Sequence, residues 1–93
     1  MLYTVYKTTN LINGKFYIGT HKTNDPNDDY MGSGTLLRRA IEKYGRDNFR
    51  KDVLFLLDNP ADMFAKEAEL VDEEFLSENN TYNLKLGGCG GFD

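Results

Sequence analysis

Two phenols, one imidazole and one inward-facing carboxylate are the side chains of this sequence best suited to move protons or to hold a hard cation. Tyr6 lies in Thr4-Val5-Tyr6 and Tyr17 in Tyr17-Ile18-Gly19, and the sole histidine, His21, follows shortly after. A phenol is a costly group to place on a small sheet for packing alone, because its hydroxyl needs a partner wherever the ring is buried. Further on, Glu67 falls among Met63, Phe64, Ala68, Leu70 and Val71, and at ~100° per residue it lies inside the apolar arc that these residues form on a helix. A carboxylate in that position is expensive unless it is paired or binds a metal. Asp62, Glu69, Asp72 and Glu73 can point to water, whereas Glu74 shares the arc near the helix end.

These residues need elements to position them. Asn13-Gly14 stands between two runs rich in Tyr, Thr, Val, Ile and Phe, residues 3 to 9 and 15 to 21, which predicts a hairpin with a two-residue type I′ turn. With Asn13 and Gly14 at the turn centre, Tyr6 stands opposite His21 and Asn10 opposite Tyr17, all four on one face. Val5, Thr9, Phe16 and Ile18 then point the other way, toward a core. Residues 22 to 34 lack periodicity and are dense in turn formers, which predicts a loop. Ser33 offers an N-cap to a helix over about 34 to 44, in which Leu37, Ala40, Ile41 and Tyr44 fall at helical spacing before Gly45. On that wheel Arg38 borders the apolar stripe and Arg39 faces away, so Arg38 is the better placed to reach toward the hairpin.

Residues 49 to 57 read as a third strand, with Val53, Phe55 and Leu57 alternating inward. Asn59 caps the next helix and Pro60 fits its first turn, and that helix is expected to run to about Ser77. A short extended segment follows, then a glycine-rich stretch around Cys89. The expected fold is α+β, a small three-stranded antiparallel sheet flanked by helices over residues 1 to 86. Residues 87 to 93 are expected to be a flexible tail or a linker to a further domain.

A chain of 93 residues makes one domain with a modest core, and its 40% hydrophobic and 13% aromatic content suits a folded protein. No apolar run approaches the ~20 residues that cross a bilayer, so a soluble protein is expected. The single cysteine cannot form an internal disulfide and the amino terminus lacks a secretory pattern, which fits a reducing, cytoplasmic setting. The formal net charge of −4 conceals an asymmetry: residues 1 to 51 carry nine Lys and Arg against five Asp and Glu, and residues 52 to 93 carry two against ten. A phosphate backbone fits the amino-terminal half, and a solvated charge mixture is the competing reading.

The order of these segments resembles that of the GIY-YIG nucleases. Thr4-Val5-Tyr6 stands where the family has Gly-Ile-Tyr, and Tyr17-Ile18-Gly19 matches its second triplet. Asn10 with Asn13-Gly14-Lys15 is similar to its hairpin turn, and residues 37 to 45 to its Leu-x-x-Ala-Ile-x-x-Tyr-Gly helix. Glu67 occupies the place of its metal-binding glutamate, and Tyr82-Asn83 that of its terminal asparagine motif. Two departures stand out. Thr4 replaces a glycine, and the family's usual arginine is Asn27 here. His21 and an Asp29-Tyr30-x-Gly-Ser-Gly loop are similar to the phage-type subgroup of homing endonucleases.

The resemblance implies hydrolysis of DNA phosphodiesters, with Tyr6 as general base and His21 receiving its proton. It implies one divalent ion, Mg²⁺ or Mn²⁺, on Glu67, with Tyr17 bonded to phosphate or to metal-bound water. Arg38 or Arg39 would neutralise the phosphorane in place of the missing arginine. Lys15, Lys22 and Asn83 would contact DNA, and target choice would reside in a separate recognition domain or partner. A catalytically silent nucleic-acid-binding or protein-docking domain of the same fold is the alternative, as is a repair or restriction nuclease.

Overall fold

The computed structural model describes residues 1–77 and 80–83, so the glycine-rich stretch and Cys89 lie outside the described residues. Strands β1 (Leu2–Asn10) and β2 (Phe16–Thr23) form the hairpin, and β3 (Phe49–Leu57) pairs with the other side of β1. The result is a three-stranded antiparallel sheet in the order β2-β1-β3. Helix α1 (Thr35–Tyr44) precedes β3, and α2 (Pro60–Leu70) and α3 (Glu73–Ser77) follow it. The α+β architecture expected from the sequence is present. No described helix is long and apolar enough to cross a membrane.

The hairpin turn is wider than a type I′ turn. Asn10 N–H bonds the Lys15 carbonyl, the Asn10 side chain accepts from Ile12 N–H, and Asn13 accepts from Lys15 N–H across Gly14 at φ 79°. These local amide bonds hold a longer loop in place of the two-residue turn. Cross-strand partners therefore shift by two: Tyr6 faces Gly19, Thr4 faces His21 and Thr8 faces Tyr17. Because side chains alternate with period two, a two-residue shift keeps every residue on its expected face. Tyr6, Asn10, Tyr17 and His21 still share one side.

Each face of the sheet carries its own core. Val5 and Ile18 pack with Met63 and Val71 beneath α2, while Tyr6 and Tyr17 pack with Leu37, Ala40, Phe49 and Tyr82 beneath α1 and the 30–34 loop. The phenols are core residues as well as site candidates. A bulge at Leu54 breaks the inward alternation expected of β3, because Tyr6 pairs with Val53 and Val5 with Phe55. Val53 therefore shares the tyrosine face, and Phe55 shares the α2 face with Leu57.

Two helix ends differ from expectation. Gly34, not Ser33, is the N-cap of α1, with no side-chain bond, and Gly45 at φ 89° ends the helix. The long helix expected to reach Ser77 breaks at Val71, where Asp72 turns to accept the Phe75 N–H and starts α3. A capping carboxylate competes with helix continuation, which explains the break. Asn59 and Pro60 act at the start of α2 as expected, Asn59 accepting from Asp62 N–H at 2.8 Å.

Leu37 is fully buried against both phenols and Ala40. Leu37→Ala should destabilise the fold by roughly 2–5 kcal/mol in urea unfolding, since it leaves a cavity between helix and sheet.

Candidate active site

Tyr6 and Tyr17 lie side by side with ring centroids 6.3 Å apart, and each is 1% exposed. Glycines make the room. An ideal Cβ at Gly19 would come within 2.6 Å of the Tyr6 hydroxyl and 2.7 Å of the Tyr17 ring. One at Gly34 would come within 2.8 Å of the Tyr17 ring, and one at Gly32, itself at φ 133°, within 3.1 Å of the Tyr6 hydroxyl. The second triplet and the Gly-Ser-Gly loop are thus two sides of one phenol slot. Among the described residues no fully buried side-chain nitrogen or oxygen lacks a hydrogen-bond partner.

His21 reaches this slot through an aromatic neighbour. Tyr30 stacks on the imidazole at 3.9 Å and 12°, and meets Tyr6 edge-on at 5.9 Å. The expected pairing of His21 directly across from Tyr6 is replaced by this relay of rings. Asp28 holds the other side of the imidazole: its Oδ2 lies 3.0 Å from His21 Nε2 and accepts from the Thr23 hydroxyl at 2.7 Å. Its Oδ1 accepts from Lys51 Nζ at 2.7 Å and from Tyr30 N–H at 3.2 Å. Lys51 also bonds the Asp28 carbonyl and lies 6.0 Å from the Tyr6 ring centre. The Lys51 ammonium, then the Thr23 hydroxyl, hold the Asp28 carboxyl well below the usual carboxylate range.

The basic candidates divide by position. Arg38 lines a cleft of about 450 Å³ with Arg46, the acids Asp29 and Glu42, and Tyr30, Met31, Gly32 and Ile41, against the loop that covers the Tyr6 hydroxyl. Both arginines are exposed, and Arg39 lines a smaller hollow with Thr35, Arg38 and Glu42. Lys15 lies 5.9 Å over the Tyr82 ring. Lys22 is exposed on β2 opposite Tyr3, on the α2 side of the sheet.

Asn83 makes a structural clamp. Its Oδ1 accepts from Ile18 N–H at 2.9 Å and from Thr81 at 2.8 Å, and its Nδ2 donates to the Ile18 carbonyl at 2.7 Å. With the Phe16–Thr81 bridge, it extends the outer edge of β2 as a side-chain imitation of a strand. Tyr82 turns to the other face and accepts from Asn10 at 3.1 Å, fastening the same segment to the hairpin.

Glu67 is 3% exposed, the one charged side chain among the buried described residues. It stands one turn from Met63 and one from Val71, and those neighbours pack on the Val5–Ile18 face. Helix α2 therefore packs on the face of the sheet opposite the phenols, whereas the expectation from the sequence is that Glu67, both phenols and His21 converge in one cleft.

Nothing in the sequence marks Asp28, Thr23 or Thr8, and Lys51 stands there only as one of the basic residues of the amino-terminal half. Thr8 donates to the Met31 carbonyl at 2.7 Å and with Lys51 ties the loop to the sheet. Lys51 and Asp28 are 23 residues apart, and no local pattern joins them.

The chain is similar to endonucleases of one phage. "Putative endonuclease segB" of Enterobacteria phage T4 is 53% identical over 93 residues, all of this chain and 42% of the relative. "Putative endonuclease segD" of the same phage is 49% identical over 90 residues, 97% of this chain and 40% of the relative. "Endonuclease segA", also of phage T4, is 49% identical over 86 residues, 92% of this chain and 39% of the relative. The chain thus spans about two fifths of the length of the curated relatives it matches. No family model matches it, and no solved structure matches it.

Two outcomes follow from this geometry. Gly19→Ala should displace the Tyr6 hydroxyl and the Tyr17 ring, shifting both tyrosines' aromatic NMR resonances and lowering stability by about 1–3 kcal/mol. Asp28 has a depressed folded-state pKa, so its stabilisation is full above the unfolded value of about 3.9 and fades as pH falls below it. Denaturant titrations of wild type and Asp28→Asn should therefore converge as pH drops below about 4.

Proposed function

We propose that this chain is the catalytic part of a DNA endonuclease of GIY-YIG type, hydrolysing phosphodiester bonds with the aid of one divalent cation. The observation that carries this reading is the slot itself. Two buried phenols lie 6.3 Å apart between Gly19 and the 30–34 loop, in a chain 49% identical over 86 residues to "Endonuclease segA". The order of motifs along the chain gives the same reading.

Hydrolysis of a phosphodiester needs a deprotonated water, cationic help on the phosphorane oxygens and relief of the leaving alkoxide. In this reading Tyr6 is the general base and Tyr17 orients the phosphate or a water beside it. Arg38, on the cleft next to the loop, neutralises charge on the phosphorane, and it takes that role ahead of Arg39 because Arg39 does not line that cleft. Tyr6 gives up its phenolic proton as it takes the water's, and His21 receives that proton by way of solvent, since the Tyr30 ring touches both residues only by stacking and edge contacts. Lys15 and Lys22 contribute DNA contacts. Asn83, with both ends of its amide engaged at Ile18, acts by holding the β2 edge.

Glu67 is the residue that would hold the cation. Among the described residues no cluster of three or more His, Cys, Asp or Glu could hold a metal. A single buried carboxylate fits a hard ion that keeps most of its ligands as water and phosphate oxygen, which is the habit of Mg²⁺. Such an ion supplies charge neutralisation at the scissile phosphate and at the leaving oxygen. Because Glu67 and the phenols belong to opposite layers, this reading puts the cleft at the outer edge of β2. The Asn80–Asn83 segment pairs with β2 as far as Ile18 among the described residues, and Gly19 beyond it carries no side chain. A phosphate lying along that rim meets both layers.

The relatives are more than twice as long as this chain. Target selection is accordingly assigned to a separate recognition domain or partner, with the excess of Lys and Arg in residues 1 to 51 serving backbone contact.

Supercoiled plasmid incubated with the purified chain and Mg²⁺ or Mn²⁺ should be nicked. Tyr6→Phe and Glu67→Ala should each lower the rate at least about a hundredfold, with circular dichroism showing retained fold. Arg38→Ala should lower it more than Arg39→Ala. Undiminished cleavage by both of the first two variants overturns the reading, and salt-dependent binding without any cleavage by wild type favours a silent binding domain.

A further inference from the structure

The group that organises the imidazole side of the slot is an acid outside every motif used above. We propose that Asp28 is a positioning residue for His21, its carboxylate taking the Nε2 hydrogen so that Nδ1 is the imidazole nitrogen left to accept a proton. This inference rests on the nuclease reading only for the use made of that nitrogen.

An ionised carboxylate can only accept hydrogen bonds, so the 3.0 Å contact from Asp28 Oδ2 to His21 Nε2 requires the hydrogen on Nε2. In a neutral imidazole Nδ1 is then the bare nitrogen. The carboxylate is itself over-determined. Lys51 from β3, Thr23 from β2 and Tyr30 N–H from the loop all donate to it, which keeps it charged and fixes its plane. Lys51 is mostly buried, with its side chain 9% exposed, so this cation is not free to leave for solvent.

The ring is constrained on its flat side as well. Tyr30 stacks on it with planes 12° apart, and the backbone of Tyr30 is the same one that donates to Asp28. On its own strand, the His21 carbonyl accepts from the Thr4 hydroxyl at 2.9 Å. Among the described residues, the charged and titratable groups against the imidazole are therefore Asp28 and Tyr30 from the loop, with Lys51 from β3 reaching it through Asp28. A proton arriving at Nδ1 gives an imidazolium whose charge lies against the Asp28 carboxylate. No other atom need move. The arrangement is an acid–imidazole pair assembled from three elements rather than from a sequence motif.

Because His21 is the only histidine, ring ¹⁵N–¹H correlation spectra of the labelled 93-residue chain report on this imidazole alone. At a pH where the ring is neutral, wild type should show one tautomer, protonated at Nε2, with that hydrogen protected from exchange. Asp28→Ala should give a rapidly exchanging ring with both tautomers. Lys51→Met removes the loop's main tether while leaving the acid in place, and should retain the wild-type signature.

In plasmid nicking, Asp28→Asn should lower kcat at least about tenfold with KM within about twofold, because the amide can accept from Nε2 but cannot balance an imidazolium. A wild-type ring protonated at Nδ1 overturns the proposal. So does loss of the signature in Lys51→Met to the same extent as in Asp28→Ala, which would make Asp28 a loop staple, and so does an unchanged kcat in Asp28→Asn. If wild type cleaves nothing, the nuclease reading fails, while the ring spectra still decide the role of Asp28.

Discussion

The hydroxyl of Tyr6 occupies space that any side chain at position 19 would need, and that close approach conditions the whole tyrosine face. A Cβ at Gly19 would stand 2.6 Å from the hydroxyl, so only glycine lets the phenol lie across its strand partner. Once it lies there, the ring packs against Tyr17, Leu37 and Phe49, and the 30–34 loop closes over it. Burial of the rings supplies the apolar contact that holds α1 to the sheet. Core and candidate chemistry are therefore the same atoms. A change that loosens the phenols for chemistry also loosens the fold.

The loop that closes the slot has no regular structure of its own and is held by bonds from three directions. Thr8 bonds its backbone at Met31, Lys51 bonds Asp28 twice, and Thr23 bonds the same carboxylate. Asp28 thereby couples three elements in one network, and a partly exposed carboxylate with four donors is more strongly held than a surface ion pair. The consequence is that Tyr30, which touches both His21 and Tyr6, has its position set by residues remote in sequence. An aromatic relay arises where a direct contact between His21 and Tyr6 was expected.

On the α2 side, Glu67 poses a different problem. It is buried between Met63 and Val71 in an apolar stripe, where a carboxylate is tolerated only with a partner. Among the described residues, the Asn83 clamp covers the outer edge of β2 at Ile18.

Local physics made much of this legible from residue types. The three strands, the helix stop at Gly45, the helix start at Asn59-Pro60, and the shared face of Tyr6, Tyr17 and His21 follow from periodicity, capping and the period-two pleat, which need only nearby residues. The inward position of Glu67 was equally readable from helical spacing. Four features were not. The hairpin register, the bulge at Leu54, the break at Val71 and the Asp28 network each depend on a choice among competing bonds. Asn13 and Gly14 are compatible with a tight turn or a wider one, and only the fit of both strands to the rest of the sheet selects between them. Asp28 looks like one more solvated acid in a polar loop until folding brings Lys51, Thr23 and His21 to it across as many as 23 residues. Periodicity carries which side a residue faces, whereas which partner it meets there is a property of chain segments far apart, and only their packing in three dimensions decides it.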